Sequence, residues 1–411
     1  MEVKDKLLNI WKAASKYGMN HCDLKTMLWN VGFLMRATTI NIDKRNTKPI
    51  PKLFYFTITL GYACFFYVYV VSMLWCVFVY YRQNGDFVAA SIILSLDVII
   101  ISKEIITFKK STCFRDLIQD VLERYLSCDA QIIEGTRLSS NIRKQLKIVK
   151  KRAITIWLTL MIIPLIHCIG PFFRPGRHFP EDKYILYGLH PMTESPNYEI
   201  ATIIFTITIT NGTYSVANGT AFIIVVFGYT EAQLLSLSEE LINIWNDARE
   251  YYIDNFEDKT EDINNFVEGR LKFIIKLHIE NIILLRQVEA VLRVSMALEF
   301  VALTIGLTAA LLGGLENTYL EIPFCLSQIF ISCYIGQKII DASNFFENAV
   351  YACNWEKFDI ANQKIVLTML QNSQKTLKLS AGGVAFLSNE CLMSIIKSCY
   401  SFYTTLQSTL K

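Results

Sequence analysis

A row of hydroxyl side chains near the end of the chain is the clearest chemical pattern in the sequence. The segment 384–410 is apolar enough to cross a membrane, yet hydroxyls recur in it at steps of four, three, four and three residues: Ser394, Ser398, Ser401, Thr405 and Ser408. On a helix of 3.6 residues per turn these positions share an arc of roughly 100°. A helix that faces only lipid gains nothing from such a stripe, whereas one that lines water or hydrogen-bonds to neighbouring helices does. We therefore predict that this segment is the pore-lining helix of an ion channel.

Catalytic and cofactor motifs are missing from the sequence. It contains no GxSxG nucleophile elbow, no phosphate-binding loop, no HExxH zinc pattern and no GxGxxG fingerprint. None of the eleven cysteines forms a CxxC pair, and many of them lie in apolar blocks, which favours free cysteines over a disulfide framework or a zinc site. We therefore expect neither an enzyme nor a protein with a bound cofactor or metal.

The composition indicates a membrane protein. Of the 411 residues, 52% are hydrophobic and 13% are aromatic, and the apolar residues occur in long blocks that favour several membrane crossings over soluble domains. The formal net charge of +3 is too small to indicate a nucleic-acid partner. Residues 1–25 lack the apolar region of a secretory signal, so we expect no cleavable signal peptide.

Seven apolar segments predict an all-α membrane protein with seven transmembrane helices. We place the crossings at 53–81, 87–108, 153–173, 200–230, 294–315, 322–337 and 384–410. Helical patterns also extend beyond the membrane, above all at about 230–285. The resulting domains are a cytoplasmic N-terminal segment (1–52), six transmembrane helices with those extensions (53–340), a cytoplasmic segment (341–383) and the seventh helix (384–411).

The distribution of basic residues orients these helices. The four segments on the N-terminal side of the membrane contain 33 Lys and Arg residues, whereas those on the opposite side contain five. Because basic residues remain in the cytoplasm, we expect a cytoplasmic N-terminus and an extracellular C-terminus. A G-protein-coupled receptor needs the opposite orientation and is excluded, while a secondary transporter stays open as an alternative.

The C-terminal third contains short motifs at 333–337, 351–356, 373–375, 379–383 and 396–402. These motifs are similar to those of the insect odorant receptors, a family of odorant-gated cation channels. The chain lacks the terminal motif of the related gustatory receptors, although a gustatory-type receptor channel is kept as an alternative. It also lacks the extended loop that the odorant co-receptor has between its fourth and fifth helices. The resemblance therefore implies a ligand-tuning subunit.

The resemblance also implies an assembly and a pore. A tuning subunit would form a heterotetramer with odorant co-receptor subunits in the plasma membrane of olfactory sensory neurons, held together by cytoplasmic anchor helices at about 230–285 and 340–378. The seventh helices would surround a cation pathway with an apolar gate near the external end. The residues expected in this pore and gate are Ser394, Ser398, Ser401, Phe402, Thr405, Leu406, Thr409 and Leu410.

The family's ligand pocket lies in the outer halves of the second to sixth helices, and this implies a set of contact residues. They are Ala90, Ser91, Leu94, Ile163, His167, Thr206, Ile209, Thr210, Thr213, Tyr319 and Phe324. An apolar enclosure with a few hydroxyls suits a volatile ester, alcohol or terpenoid. Taken singly, each residue is better explained by helix packing, and only the set as a whole indicates a pocket. Glu316 and Glu321 would favour cations at the external mouth, and Asp97 in the second crossing has no assigned role.

Overall fold

The computed structural model describes residues 18–80, 115–180, 184–253, 260–312, 321–383 and 385–410. These residues are mostly helical. The helices are α1 (Leu24–Ala37), α2 (Lys52–Tyr80), α3 (Arg115–Ala130), α4 (Arg137–Ile169), α5 (Asn197–Ile253), α6 (Thr260–Leu312), α7 (Glu321–Tyr351), α8 (Ile360–Ser373) and α9 (Asn389–Leu410), with β1 (Ser380–Ala381) and β2 (Ala385–Phe386) before α9. The predicted second crossing, 87–108, lies outside the described residues.

Four helices in the described ranges are long and apolar enough to cross a membrane. They are Lys52–Tyr80, Arg137–Phe173, Asn197–Glu250 and Ile263–Leu312, which contain most or all of the predicted first, third, fourth and fifth crossings. Polar residues interrupt α7 and α9, which carry the predicted sixth and seventh crossings. Such helices suit positions where other helices or water, rather than lipid, surround much of the surface.

The central element is α5, whose 57 residues span about 85 Å at 1.5 Å per residue. It packs against α1, α2, α4, α6 and α7. Two of these contacts depend on glycine: a Cβ at Gly228 would lie 2.4 Å from the Val149 side chain of α4, and one at Gly61 of α2 would lie 2.2 Å from Asn211. The absence of a side chain at these positions lets the helices approach closely.

The N-terminal helix α1 packs against the helix bundle. Asp23 caps it by accepting a 2.9 Å hydrogen bond from the Thr26 amide, and Met27, Leu28 and Val31 are buried. The Tyr214 hydroxyl of α5 donates to the Leu34 carbonyl at 3.1 Å. Tyr214 lies on the predicted fourth crossing, so α1 contacts that helix. The assignment of residues 1–52 to a cytoplasmic segment stays a prediction.

The outer part of α2 is π-helical at Tyr67–Ser72 and again at Cys76–Tyr80. The loop after α4 forms two hydrogen bonds with this region. The Tyr184 hydroxyl donates to the Val68 carbonyl at 2.9 Å, and the Cys76 thiol donates to the Ile185 carbonyl at 2.9 Å. Short π-helical stretches are frequent at functional sites. These hydrogen bonds attach the described part of the loop to the outer part of α2.

Candidate functional site

A β hairpin forms the base of α9. The predicted seventh helix was placed from residue 384, but β2 occupies Ala385–Phe386 and α9 begins at Asn389. Ser380 pairs with Phe386 and Ala381 with Ala385, and Gly382 and Gly383 make the turn with φ values of 65° and 79°. These left-handed conformations favour glycine, which explains the glycine pair. The predicted start of the helix was therefore wrong by five residues, because local apolar character does not separate a short strand from a helix.

Helix α6 holds the hairpin in place. The carboxylate of Glu289 accepts hydrogen bonds from the Ser380 amide at 2.9 Å and the Ser380 hydroxyl at 2.7 Å. The Gly382 amide donates to the Arg293 carbonyl at 3.2 Å, and the Arg293 guanidinium donates to the Gly382 carbonyl at 3.3 Å. A Cβ at Gly383 would meet the same guanidinium. The motif at 379–383 is thus a clamp between α6 and the base of α9.

Helix α7 holds the opposite side of this base. A Cβ at Gly336 would lie 2.3 Å from the Leu387 carbonyl oxygen, so only glycine allows the backbone at Leu387 to lie this close to α7. The side chain of Gln337 accepts a 3.1 Å hydrogen bond from the Asn389 amide at the first turn of α9. The ring of Tyr334 lies under the Arg152 guanidinium of α4, 5.2 Å from the ring centroid. The motif at 333–337 therefore fixes where α9 starts.

The two faces of α9 differ sharply. Cys391, Leu392, Ile395 and Cys399 pack towards the core formed with α6 and α7, and the Cys399 thiol donates a weak hydrogen bond to the Thr304 carbonyl at 3.8 Å. The hydroxyls of the predicted stripe are all exposed in the single subunit: Ser394, Ser398, Ser401, Thr405 and Ser408. Phe402 is 62% exposed, while the side chains of Leu406, Thr409 and Leu410 lie outside the described residues.

Ion pairs join the cytoplasmic parts of α4, α5 and α6. Glu240, only 3% exposed, accepts hydrogen bonds from Arg137 at 3.0 Å and from Arg270 at 2.5 Å. Arg137 also forms an ion pair with Asp247. The hydrogen bond to Asp247, more than the one to Glu240, raises the pKa of the Arg137 guanidinium above its usual value. At the inner end of the bundle Arg152 pairs with Glu231 at 2.7 Å. These contacts position the helices that carry the clamp.

The predicted ligand residues are only partly described. Ile163 and His167 on α4, Ile209 and Thr213 on α5 and Phe324 on α7 are half-buried, while Thr206 and Thr210 are exposed. The threonine hydroxyls donate to carbonyls one turn back on α5, for example Thr206 to Thr202 at 2.7 Å and Thr213 to Ile209 at 2.8 Å. Ala90, Ser91, Leu94 and Tyr319 lie outside the described residues, as do Asp97, Glu316 and the side chain of Glu321. Whether the set forms one pocket stays a prediction.

An aromatic cluster at the outer end was not anticipated. Tyr184 of the loop after α4 is buried against Tyr69 of α2 and Phe205 of α5, with ring centroids 6.1 Å apart in both pairs. Phe179 and Phe65 extend the same cluster. The frequent aromatic residues of 174–198 were the available signal, but a loop carries no periodicity that would show which residues point inward.

Comparison with known proteins agrees with this architecture. The family model for the 7tm odorant receptors matches residues 83–400. Odorant receptor 30a of Drosophila melanogaster is 26% identical over 258 residues, which cover 58% of this chain and 63% of that receptor. Odorant receptor Or1 of Anopheles gambiae is 32% identical over 84 residues, 20% of each chain. These matches thus span less than two thirds of the length of the relatives.

A solved structure shares the fold. The insect olfactory receptor OR5 from Machilis hrabei, in complex with eugenol, superposes with a TM-score of 0.70 over 94% of this chain and 98% of that one, at 12% identity. The predicted fold class, an all-α membrane protein of seven transmembrane helices, is confirmed, and so is the resemblance on which it partly rested. The chain belongs to the 7tm odorant receptor family of insects.

Proposed function

We propose that this protein is a tuning subunit of an odorant-gated cation channel, formed as a tetramer with the odorant co-receptor in the plasma membrane of olfactory sensory neurons. It binds a volatile hydrophobic ligand within its transmembrane helices. Binding there shifts α9 through α6 and α7, which hold its base. Membership of a receptor family, rather than an enzyme family, supports the first part of this proposal.

The observation that carries the proposal is the asymmetry of α9. One face is packed against the subunit's own helices, while a continuous row of hydroxyls is left uncovered. A lipid-facing surface would be apolar, so this row suits contact with water in a pore shared between subunits.

Exposed apolar side chains on the cytoplasmic helices support association of subunits. Ile279 and Ile283 of α6, together with Ile360 and Leu367 of α8, are exposed in the single chain. Outside the membrane such residues gain free energy when another subunit covers them. The predicted anchor regions, 230–285 and 340–378, contain all four.

Whole-cell current recording tests the channel proposal. Cells expressing the chain with the insect co-receptor should give a rapid cation current to a panel of volatile esters, alcohols and terpenoids while G-protein signalling is blocked. Absence of current with both proteins confirmed at the surface, over the whole panel, would contradict the proposal. A current in cells that express this chain alone would indicate that it forms a homotetramer rather than a heteromer with the co-receptor.

Cysteine substitution separates the two faces of α9. Ser398→Cys and Ser401→Cys should make the ligand-evoked current sensitive to a charged, water-soluble thiol reagent, because these positions face the proposed pore. Ile395→Cys on the packed face is the matched control and should be unaffected. Equal modification at all three positions would show that the hydroxyl row does not line the pore.

A further inference from the structure

A stripe of lysines on α4 leads directly into its lipid-facing surface. Lys144, Lys147 and Lys151 are exposed at steps of three and four residues, and the same stripe continues in aliphatic residues that are half-buried or exposed: Ile154, Leu158, Ile162 and Leu165. The change from ammonium to aliphatic side chains takes place between Lys151 and Ile154, about 4.5 Å apart along the axis. The stripe thus crosses the boundary between the cytoplasm and the hydrocarbon.

These three lysines carry positive charge and form no ion pair with the residues that the structure describes. The nearby Arg143, by contrast, pairs with Glu134 at 2.7 Å, and Arg152 pairs with Glu231. A row of exposed cations at the cytoplasmic surface attracts anionic lipid headgroups.

An apolar cleft opens beside the stripe at the cytoplasmic start of the predicted third crossing. Its volume is about 250 Å³, and it lies between α1, α4 and α5, lined among others by Val31, Ala153, Trp157, Leu158 and Val225. Leu158 at its rim is 47% exposed, so the cleft is accessible from the side of the bundle. It therefore begins where the lysine row ends.

Lys150 closes the cytoplasmic end of this cleft. Only 4% of its surface is exposed, and its ammonium donates to the backbone carbonyls of Gly18 at 2.7 Å and His21 at 2.5 Å. These bonds tie the segment before α1 to α4 and fix the width of the cleft. The buried cation also adds to the positive potential at its mouth.

We propose that this surface binds an anionic phospholipid of the cytoplasmic leaflet. The headgroup phosphate lies against Lys144, Lys147 and Lys151, and one acyl chain occupies the cleft beside Trp157. Charge complementarity selects the headgroup, and the continuity of the cationic row with the apolar cleft selects a lipid over a soluble anion.

Lipid titration of the purified full chain in detergent tests the headgroup contact, with native mass spectrometry to count bound dioleoyl phosphatidylserine. The triple variant K144Q/K147Q/K151Q should raise the concentration for half-occupancy roughly 100-fold, since each lysine near a membrane surface contributes a factor of about five and the three factors multiply. The matched control K357Q/K364Q/K375Q removes the same charge from exposed lysines around α8 and should leave binding unchanged. Equal weakening by both triples, or equal binding of phosphatidylserine and phosphatidylcholine, would overturn the proposal.

Fluorescence quenching tests the position of the acyl chain. Phosphatidylserine with brominated chains should quench tryptophan emission in the wild-type protein, and part of this quenching should be lost in Trp157→Phe. Identical quenching in the two proteins would show that no chain enters the cleft. Because neither assay requires current, their failure is distinguishable from failure of the channel proposal.

Discussion

The inner and outer halves of α5 are built differently. Between residues 221 and 241 nearly every residue is buried, whereas between 202 and 216 only Phe205 and Thr208 are. The inner half pairs with its neighbours through charged groups, as Glu231 does with Arg152 and Glu240 with Arg137 and Arg270. The outer threonines instead satisfy their hydroxyls on their own helix.

This difference separates a fixed region from an adaptable one. Buried charge pairs and the close approach of Gly228 to Val149 tolerate few alternative arrangements, so the inner half fixes the positions of α4 and α6 beside it. Hydroxyls that are satisfied within one helix impose no distance on its neighbours. Away from the close contact of Asn211 with Gly61, the threonine surface of the outer half therefore imposes few fixed distances on neighbouring helices.

The largest effect is expected from a methyl group placed at the base of α9. Gly336→Ala should destabilise the protein by more than about 3 kcal/mol, because the new Cβ meets the Leu387 backbone and α7 or α9 has to move. The melting temperature in detergent, followed by size-exclusion chromatography, measures this change.

Gly212→Ala in the outer half is the matched control. A Cβ there meets no atom within 4 Å, so the variant should be neutral or up to about 1 kcal/mol more stable. Equal losses of stability in the two variants would show that the base of α9 is no more tightly packed than the outer half of α5.

A smaller loss is expected from the cytoplasmic charge cluster. Glu240→Gln should lower the free energy of unfolding by about 2 to 3 kcal/mol. This loss is smaller than for a fully buried ion pair because the side chains of Arg137 and Arg270 are 38% and 34% exposed. Glu134→Gln removes the exposed partner of Arg143 and should cost less than about 1 kcal/mol. Melting temperatures that fall equally would mean that the buried cluster does not stabilise the inner half.

The smallest change in stability is expected in the outer half. Thr206→Val and Thr210→Val should shift the free energy of unfolding by no more than about 0.5 kcal/mol, since both side chains are exposed and their hydroxyls donate to carbonyls one turn back on α5. If these residues contact the ligand, its half-maximal concentration should shift roughly fivefold, the equivalent of one hydrogen bond.

Thr159→Val on α4 is the control for this pair, because its hydroxyl also donates one turn back, to Thr155 at 2.9 Å, outside the predicted ligand set. An unchanged ligand response in Thr206→Val and Thr210→Val would remove both residues from the pocket. A response that changes equally in Thr159→Val would point to a general effect of losing a helix hydroxyl.

Local patterns in the sequence determined the fold class, the approximate crossings and the exposed hydroxyl row. Apolar blocks and helical periodicity depend on neighbours within a few turns, so they can be read along the chain. The same patterns could not place the start of α9, because a hairpin of two-residue strands leaves no periodic trace.

Contacts between distant segments were decided only by the tertiary structure. Three contacts join residues that are 51 to 180 positions apart in the sequence: Tyr214 with Leu34 of α1, Glu289 with Ser380, and Gly336 with Leu387. Periodicity shows that a helix has a packed face but not which partner covers it. The row of serines and threonines was therefore visible in the sequence, whereas the clamp that holds it in place depended on three-dimensional packing.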